Sequence, residues 1–592
     1  MSGELRTALL TAAIALAGCG EIFDATGTPG GTGGTGAGPT TSDGGAGTGG
    51  TGGTSGTGAT TTCDSEDHDG DGYSQCDGDC DDTIAFVHPD AIEICGDGID
   101  ENCDGMGDDA PPCNGMGTFV SQAHGTVGAK GTMDDPVAMI SEGIAKAEAI
   151  GGTQLIFVSA GTYSEDLTLV GDRSLVGGYH KDDWTIRDPA IHKTIINALK
   201  PEGLKVISAK QPMLVDGFVI NGRSVSVGDA SSFAVTVDGG DALLSNNTIT
   251  GGAITAGAGV TAGVQVITAA APGSALGLYG NVIDTADATL GPAIGVLADS
   301  ADMTVTMALN QISAGKGTES IAVLGRAAAA LLITGNVLQS GVATGKAGTP
   351  PASFGLWMKA GKLVFDSNLV NPYQVNDPPK CLVPDAWCGG VRVSTPEATL
   401  TNNIISGAAH ASSVALHLSE DQKSLAFVVV ANNLFLASGD DGVASRSTSI
   451  LLGSPVPDAG VTSVGRFRNN IFFGGIAAQN FAFFEQQIAG EAVQPAALDH
   501  NLFFFPVEDP NPGILYLDWN GVSPSYLTML DQLPGDGANL YENPLLVAGH
   551  IEPESPCRNA GTPTDAPPKD RDQDPRPQEG VVDIGPDELV PD

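Results

Sequence analysis

Apolar residues Val137, Ile140, Ile144 and Ala147 fall three or four positions apart, the spacing that gathers side chains on one helix face. Asp135 and Pro136 just before them read as cap and first helical residue, which predicts a helix opening at Pro136. The following stretch, TQLIFVSAGTYSEDLTLV, reads as strand. Beyond it there is no second long helical pattern. A short phrase recurs instead: LLSNNTIT, LYGNVID, ALNQIS, ITGNVLQ, FDSNLV, LTNNIIS, VANNLFL, FRNNIFF, LDHNLFF. Its Asn falls at Asn247, Asn281, Asn310, Asn336, Asn368, Asn403, Asn433, Asn470 and Asn501, at intervals of 26 to 37 residues. A repeat of that period signals stacked supersecondary units.

The residues around each Asn select the kind of stack. They are apolar and largely β-branched, so each unit is a short strand, a bend and another strand. Asn tolerates the left-handed backbone a sharp bend needs, and its amide can bond to the same Asn one layer up and down. Short strands without intervening helices predict an all-β chain, a right-handed parallel β-helix with an N-terminal helical cap. A leucine-rich repeat needs a shorter period, and a propeller needs four strands per unit.

Composition agrees and adds a constraint on partners. The 82 glycines are roughly twice the usual share, as a turn-rich stack requires. The net charge of −44 over 592 residues excludes nucleic acid and anionic lipid surfaces as partners of the general field. Divalent cations, a glycan or a cell-surface protein are the compatible partners. The chain opens with an apolar run, Ala8 to Ala17, too short to span a bilayer, and then Leu16-Ala17-Gly18-Cys19. LAGC resembles the bacterial lipobox. The resemblance implies a lipoprotein signal peptide over 1–18, lipidation of Cys19, and membrane contact only through that anchor. Gly20, rather than Asp, follows the cysteine, which implies the outer membrane or cell surface. Residues 19–62 are mostly Gly, Thr, Ser and Ala and read as a disordered linker.

Residues 63–113 form a third region. DHDGDGYSQCDGDCDD (67–82) holds seven Asp and no Lys or Arg. Asp67, Asp69 and Asp71 with Gly72 fit D-x-D-x-D-G, and Asp100, Asn102 and Asp104 with Gly105 fit D-x-N-x-D-G. Oxygen ligands at alternate positions of a tight loop suit Ca²⁺, with the carbonyl of Tyr73 as a further ligand. Asp77, Asp79, Asp81, Asp82 and Asp97 are candidates to complete the shells. Position 12 of each loop lacks the bidentate Glu, so neither is an EF-hand. Cys63, Cys76, Cys80, Cys95, Cys103 and Cys113 lie in the same stretch, and an even count in a small exported segment implies disulfides of open connectivity. So short and acidic a segment cannot fold on a core of its own; crosslinks and a cation replace it.

The run from Asp67 to Gly105 resembles the MopE-like metal-binding repeat of bacterial surface proteins, through D-x-D-G-D-G-Y, DCDD, HPDAIEIC and DENCDG. Asp90 stands where that pattern has Gly, and Cys76 is additional to it. The family takes its name from a copper-associated protein, so copper at His68 or His88 is the alternative to calcium. The β-helix domain is expected over 114–592, and nearly all of 118–590 resembles the pectin-lyase-like superfamily of secreted β-helix proteins, in its opening (GTMDDP, GIAKA, LIFVSAGTYSEDLTL) and its close (ENPLLVAGHIEPESPCRNAGTP, DRDQDPRP, VVDIGPDE). That resemblance implies a structural Arg576–Asp583 ion pair and a buried free thiol at Cys557. Cys381 and Cys388 flank a loop and are expected to pair.

The superfamily contains polysaccharide lyases and glycoside hydrolases, which is the alternative function. SGDDGVAS (438–445) resembles the acid pair of polygalacturonases, but Asp440 and Asp441 lack the Asn-x-Asp, Gly-His-Gly and Arg-x-Lys that accompany it there. A lyase needs basic residues. The chain has 26 Lys and Arg, and no one strand gathers them. The expectation is a surface-anchored, non-catalytic lipoprotein, metal-binding and structural, adhesive or glycan-binding.

Overall fold

The computed structural model describes residues 63–590, less 64, 66–72, 83, 85–86, 90, 92, 95–97, 106–116, 152–153, 208–212, 227, 229, 268–273, 346–351, 373–379, 382–387, 409–411, 420–427, 439–445, 454–463, 476, 486–494, 507–512, 518–534 and 536. The fold is the parallel β-helix that the repeat predicts. Each coil places one strand in each of three columns. One representative coil runs through Ser412–Leu418, Val429–Ala431 and Leu434–Leu436. Each of these strands pairs in parallel with its counterpart in the next coil: Arg446–Leu452, Arg466–Arg468 and Ile471–Phe473. Among the described residues the named strand pairings are parallel except Leu546–Val547 with His550–Ile551, a hairpin beyond the last coil.

Register holds the core in ladders. In the third column Tyr163, Ile196, Ile220, Ile249, Ile283, Ile312, Leu338, Val370, Ile405, Phe435, Phe472 and Phe503 pair in succession, all buried. Aliphatic rungs give way to stacked aromatics toward the C-terminus, with Phe435 and Phe472 parallel at 5.5 Å. Burial of each rung on both sides by its neighbours is the main stabilising term of such a stack.

The recurring Asn sit at a single corner, between the second and third strands of each coil. The left-handed residue at that corner is the one before the Asn, which corrects the reading of the phrase. Positive φ occurs at Asn246, Leu309, Ser367, Asn402, Asn432, Asn469, His500 and Ala538, and at Gly280 and Gly335. The Asn that follow do not share it and are buried instead, with side chains turned inward to bond along the stack. Asn539 extends their row beyond the last one the phrase revealed.

The first coil is capped by the helix Ile140–Ile150, whose Ile140, Gly143, Ile144 and Ala147 are buried. It starts four residues later than Pro136, because Val137 is drawn into a parallel bridge with Val120. Its N-terminus is capped from a distance: Glu165 accepts hydrogen bonds from the backbone N–H of Ile140 (2.8 Å) and Ser141 (2.9 Å). A carboxylate there also meets the positive end of the helix dipole. Gly143 permits the contact, since a Cβ there would meet Val120 at 2.6 Å.

At the other end, residues 556–588 fold back along the Asn corner. Asn402 donates to the carbonyl of Lys569, Asn432 to those of Asp583 and Gly585, and Asn469 to that of Thr562. Cys557 and Ile584 thereby cover Ile404, Leu434, Ile471 and Leu502. Cys557 is a free, buried thiol, and burial pushes its pKa up to about 12. The buried Arg576 lies 3.8 Å from Glu588, not paired with Asp583. Asp583 accepts the backbone N–H groups of Asn559 and Leu589.

Candidate metal centre

Two disulfides shape the acidic region, Cys63–Cys76 and Cys80–Cys103. Cys76, the cysteine additional to the repeat pattern, is the partner of Cys63. Cys95 and Cys113 lie outside the described residues, as does the side chain of Cys381; Cys388 is disulfide-bonded and buried. The Cys80–Cys103 bond, with Cα atoms 5.6 Å apart, sets the DGDCDD segment beside the DENCDG loop. The backbone N–H of Cys80 also donates to Cys103 Sγ at 3.1 Å.

The DENCDG loop has the turn geometry its spacing predicts. Asp100 Oδ2 accepts the N–H of Gly105 at 2.8 Å and its Oδ1 that of Asp104 at 3.2 Å, while Asn102 Oδ1 accepts the same N–H at 3.0 Å. Cys103 and Gly105 take positive φ to close the turn. Each carboxylate oxygen keeps a lone pair beyond the one the backbone uses, so the loop can still accept a cation.

Asp79 is the most informative residue of the facing segment. It is only 4 % exposed; Oδ1 accepts the N–H of Asp81 at 2.9 Å, and the buried Oδ2 has no hydrogen-bond partner. Burial raises its pKa, Asp82 and Asp81 add repulsion, and the Asp81 N–H and His88 oppose the rise. Asp82 is buried, whereas Asp81 and Asp77 are exposed, and Asp77 accepts the Ser74 hydroxyl at 2.6 Å. Tyr73 stacks on His88, ring centroids 4.7 Å apart. His88 Nδ1 lies 2.8 Å from the Pro89 carbonyl, which can only accept, so the neutral ring presents Nε2 as its free lone pair. Asp67, His68, Asp69, Asp71 and Asp97 lie outside the described residues.

Two acids that the loop spacing does not single out are buried here as well. Glu93 is 3 % exposed and Glu101 not at all. Glu101 Oε2 accepts the N–H of Ile94 at 2.9 Å, and its carbonyl accepts the N–H of His88, so it ties residues 88–94 to the loop. Residues 63–113 contain no Lys or Arg. Burying the Asp79 carboxylate there, with Oδ2 lacking a hydrogen-bond partner, is costly unless a proton or a cation neutralises it.

The region does not stand apart from the β-helix. Ile94, 2 % exposed, packs with Phe119, Phe157, Val176, Tyr179 and Leu214, on the outside of the first coils. Its missing apolar core is supplied by the body.

Residues 79–109 match the family model of the Cu-binding MopE type, described as a "Putative metal-binding motif". The match takes in the DENCDG loop and Asp79, and it begins after the Asp67–Gly72 loop. It supports metal binding by this region and leaves the ion open. No curated protein matches the chain.

Elsewhere, Asp440 and Asp441 lie outside the described residues. One strand does gather basic residues: Arg466 and Arg468 lie two apart on Arg466–Arg468, and both pair with Asp565. The stack also gathers them across strands: Lys359 Nζ lies 3.8 Å and Arg392 Cζ 4.4 Å from the ring centroid of Trp357. Among the described residues, the group of three potential ligand atoms within 4.8 Å of one another is not in the acidic region. It is His550, Asp572 and Asp587.

Proposed function

We propose that the chain is an exported surface lipoprotein, anchored through Cys19, whose residues 63–113 bind Ca²⁺ and whose β-helix serves as a rigid, non-catalytic scaffold with a structural, adhesive or glycan-binding role. The observation that carries the metal reading is Asp79 Oδ2, a buried carboxylate oxygen without a partner in a segment without Lys or Arg. A cation beside it would relieve that burial and the repulsion from Asp82. Asp79, Asp82 and the Asp100–Asp104 loop would supply it with oxygen ligands, the set a hard cation prefers. The rival ion is copper, favoured by the free Nε2 of His88.

Thermal melting of the full oxidised chain tests this with Ca²⁺, Mg²⁺ and Cu²⁺ in turn. Ca²⁺ should raise the melting temperature of the wild type. Asp79→Asn combined with Asp100→Asn should abolish most of that rise. A rise with Cu²⁺ alone, lost in His88→Gln, would transfer the site to copper. No response to any ion would remove the metal reading.

A further inference from the structure

We propose a second metal site, at the C-terminal end of the β-helix, in which His550, Asp572 and Asp587 hold a divalent transition-metal ion such as Zn²⁺ or Mn²⁺. His550 Nδ1 lies 3.1 Å from Asp587 Oδ1 and 3.3 Å from Asp572 Oδ2. The three ligand atoms lie within 4.8 Å of one another, close to the separation of donors bound at roughly 2.0–2.2 Å to one ion.

The three residues come from separate parts of the closing structure, each hydrogen-bonded into it. His550 begins the outer strand of the terminal hairpin, antiparallel to Leu546–Val547. Asp587 is buried; its Oδ2 accepts the N–H of Ile551 at 2.8 Å, which aims Oδ1 at the imidazole. Asp572 sits in a turn built on Asp570, whose Oδ1 accepts the N–H groups of Asp572 (2.8 Å) and Asp574 (2.9 Å). Ligands so restrained need little reordering to take an ion.

One imidazole nitrogen and two carboxylate oxygens suit a first-row transition metal better than Ca²⁺, which takes six to eight oxygens. His550 and Asp572 are each nearly half exposed, so water has access to the remaining coordination positions. An ion here would join the hairpin, the 570–574 turn and the closing segment around Asp587. Arg571 is the nearby cation opposing it, and Asp572 and Asp587 together outweigh that charge.

The competing arrangement is an imidazolium held between the two carboxylates without any metal. Equilibrium dialysis of the full chain against Zn²⁺, with Ca²⁺ saturating the acidic region, separates the two. Wild type should bind about one Zn²⁺ more than Asp572→Asn, a variant at a half-exposed position that should fold. His550→Gln should show the same loss, with circular dichroism and melting confirming its fold. The Asp79→Asn, Asp100→Asn double variant should keep the difference, which distinguishes this site from the acidic region. Equal Zn²⁺ uptake by wild type, Asp572→Asn and His550→Gln would leave the ion pair as the whole explanation and overturn the site.

Discussion

The side-chain amide of Asn433 donates to Asn470 Oδ1 at 3.0 Å, and the backbone N–H of Asn433 donates to the same oxygen at 3.0 Å. The relationship repeats from Asn247 through Asn539, so each interior oxygen takes two bonds from the coil before it. The second amide proton of Asn433 reaches the carbonyls of Leu400 and Ala431. No other side chain offers an acceptor and two donors in so short a reach.

Asn433→Ala should therefore destabilise the body by about 3 kcal/mol, since it leaves the backbone and side-chain N–H groups of Asn403 without their buried acceptor. Asn433→Asp keeps the acceptor but sets an oxygen against Asn470 Oδ1, and should be at least as damaging. Urea unfolding measures both. A loss under about 0.5 kcal/mol for Asn433→Ala would show that the ladder is a consequence of the stack rather than a support of it.

The corner residue before each Asn gives the opposite expectation. Leu309 holds φ +56° with a 51 % exposed side chain, a poor choice for a left-handed position. Leu309→Asn should stabilise the protein by about 0.5–1 kcal/mol, as the other Asn at this corner do without strain. A lower melting temperature in this variant would mean that the Leu309 side chain contributes contacts worth more than the backbone penalty.

Acid should weaken the stack through His417. It is buried between Arg392 and Leu451 on the neighbouring strands, with Nε2 donating to the Gly453 carbonyl at 2.9 Å. Burial, and after it the Arg392 guanidinium, lower its pKa to about 3, and the Gly453 bond opposes them in part. The unfolded chain takes up the proton near pH 6.5, well before the folded one. The stability His417 contributes is thus complete above about pH 6.5 and is lost as pH falls toward 3, by about 1.4 kcal/mol per unit. His417→Gln should flatten the wild-type slope between about pH 6 and 4 by that amount. Identical slopes in the two proteins would contradict the burial argument.

The fold was legible because the ladder demands the same residue in every coil, and the apolar positions beside it repeat with it. The left-handed corner was not, because Asn, Gly, Leu, Ser, His and Ala all occupy it: its demand falls on the backbone, and the sequence there varies. Asn539 could have been found, since Ala538-Asn539-Leu540-Tyr541 carries the phrase. In the acidic region the spacing of Asp100, Asn102 and Asp104 did reveal a loop. Glu93 and Glu101 fall off that spacing, and their burial follows from a disulfide and from packing against the body. The signal available was Ile92-Glu93-Ile94, an acid set within an apolar run.

Ile94 makes that dependence testable. Its side chain is the acidic region's contribution to the cluster of Phe119, Phe157, Val176, Tyr179 and Leu214, and its N–H is held by Glu101. Ile94→Ala removes buried methyl groups and should weaken docking by about 2–4 kcal/mol. Among the described residues, those packed in this cluster do not extend past Leu243, so protection of the later coils should persist. Hydrogen exchange should then speed up in residues 87–105 while remaining slow at the buried strands Arg446–Leu452 and Gln479–Glu485. Because the Asp100 loop is tied to Ile94 through Glu101, cation binding should weaken in the same variant. Unchanged exchange in 87–105 would show that the two disulfides hold this region without help from the β-helix, and would make it a domain in its own right.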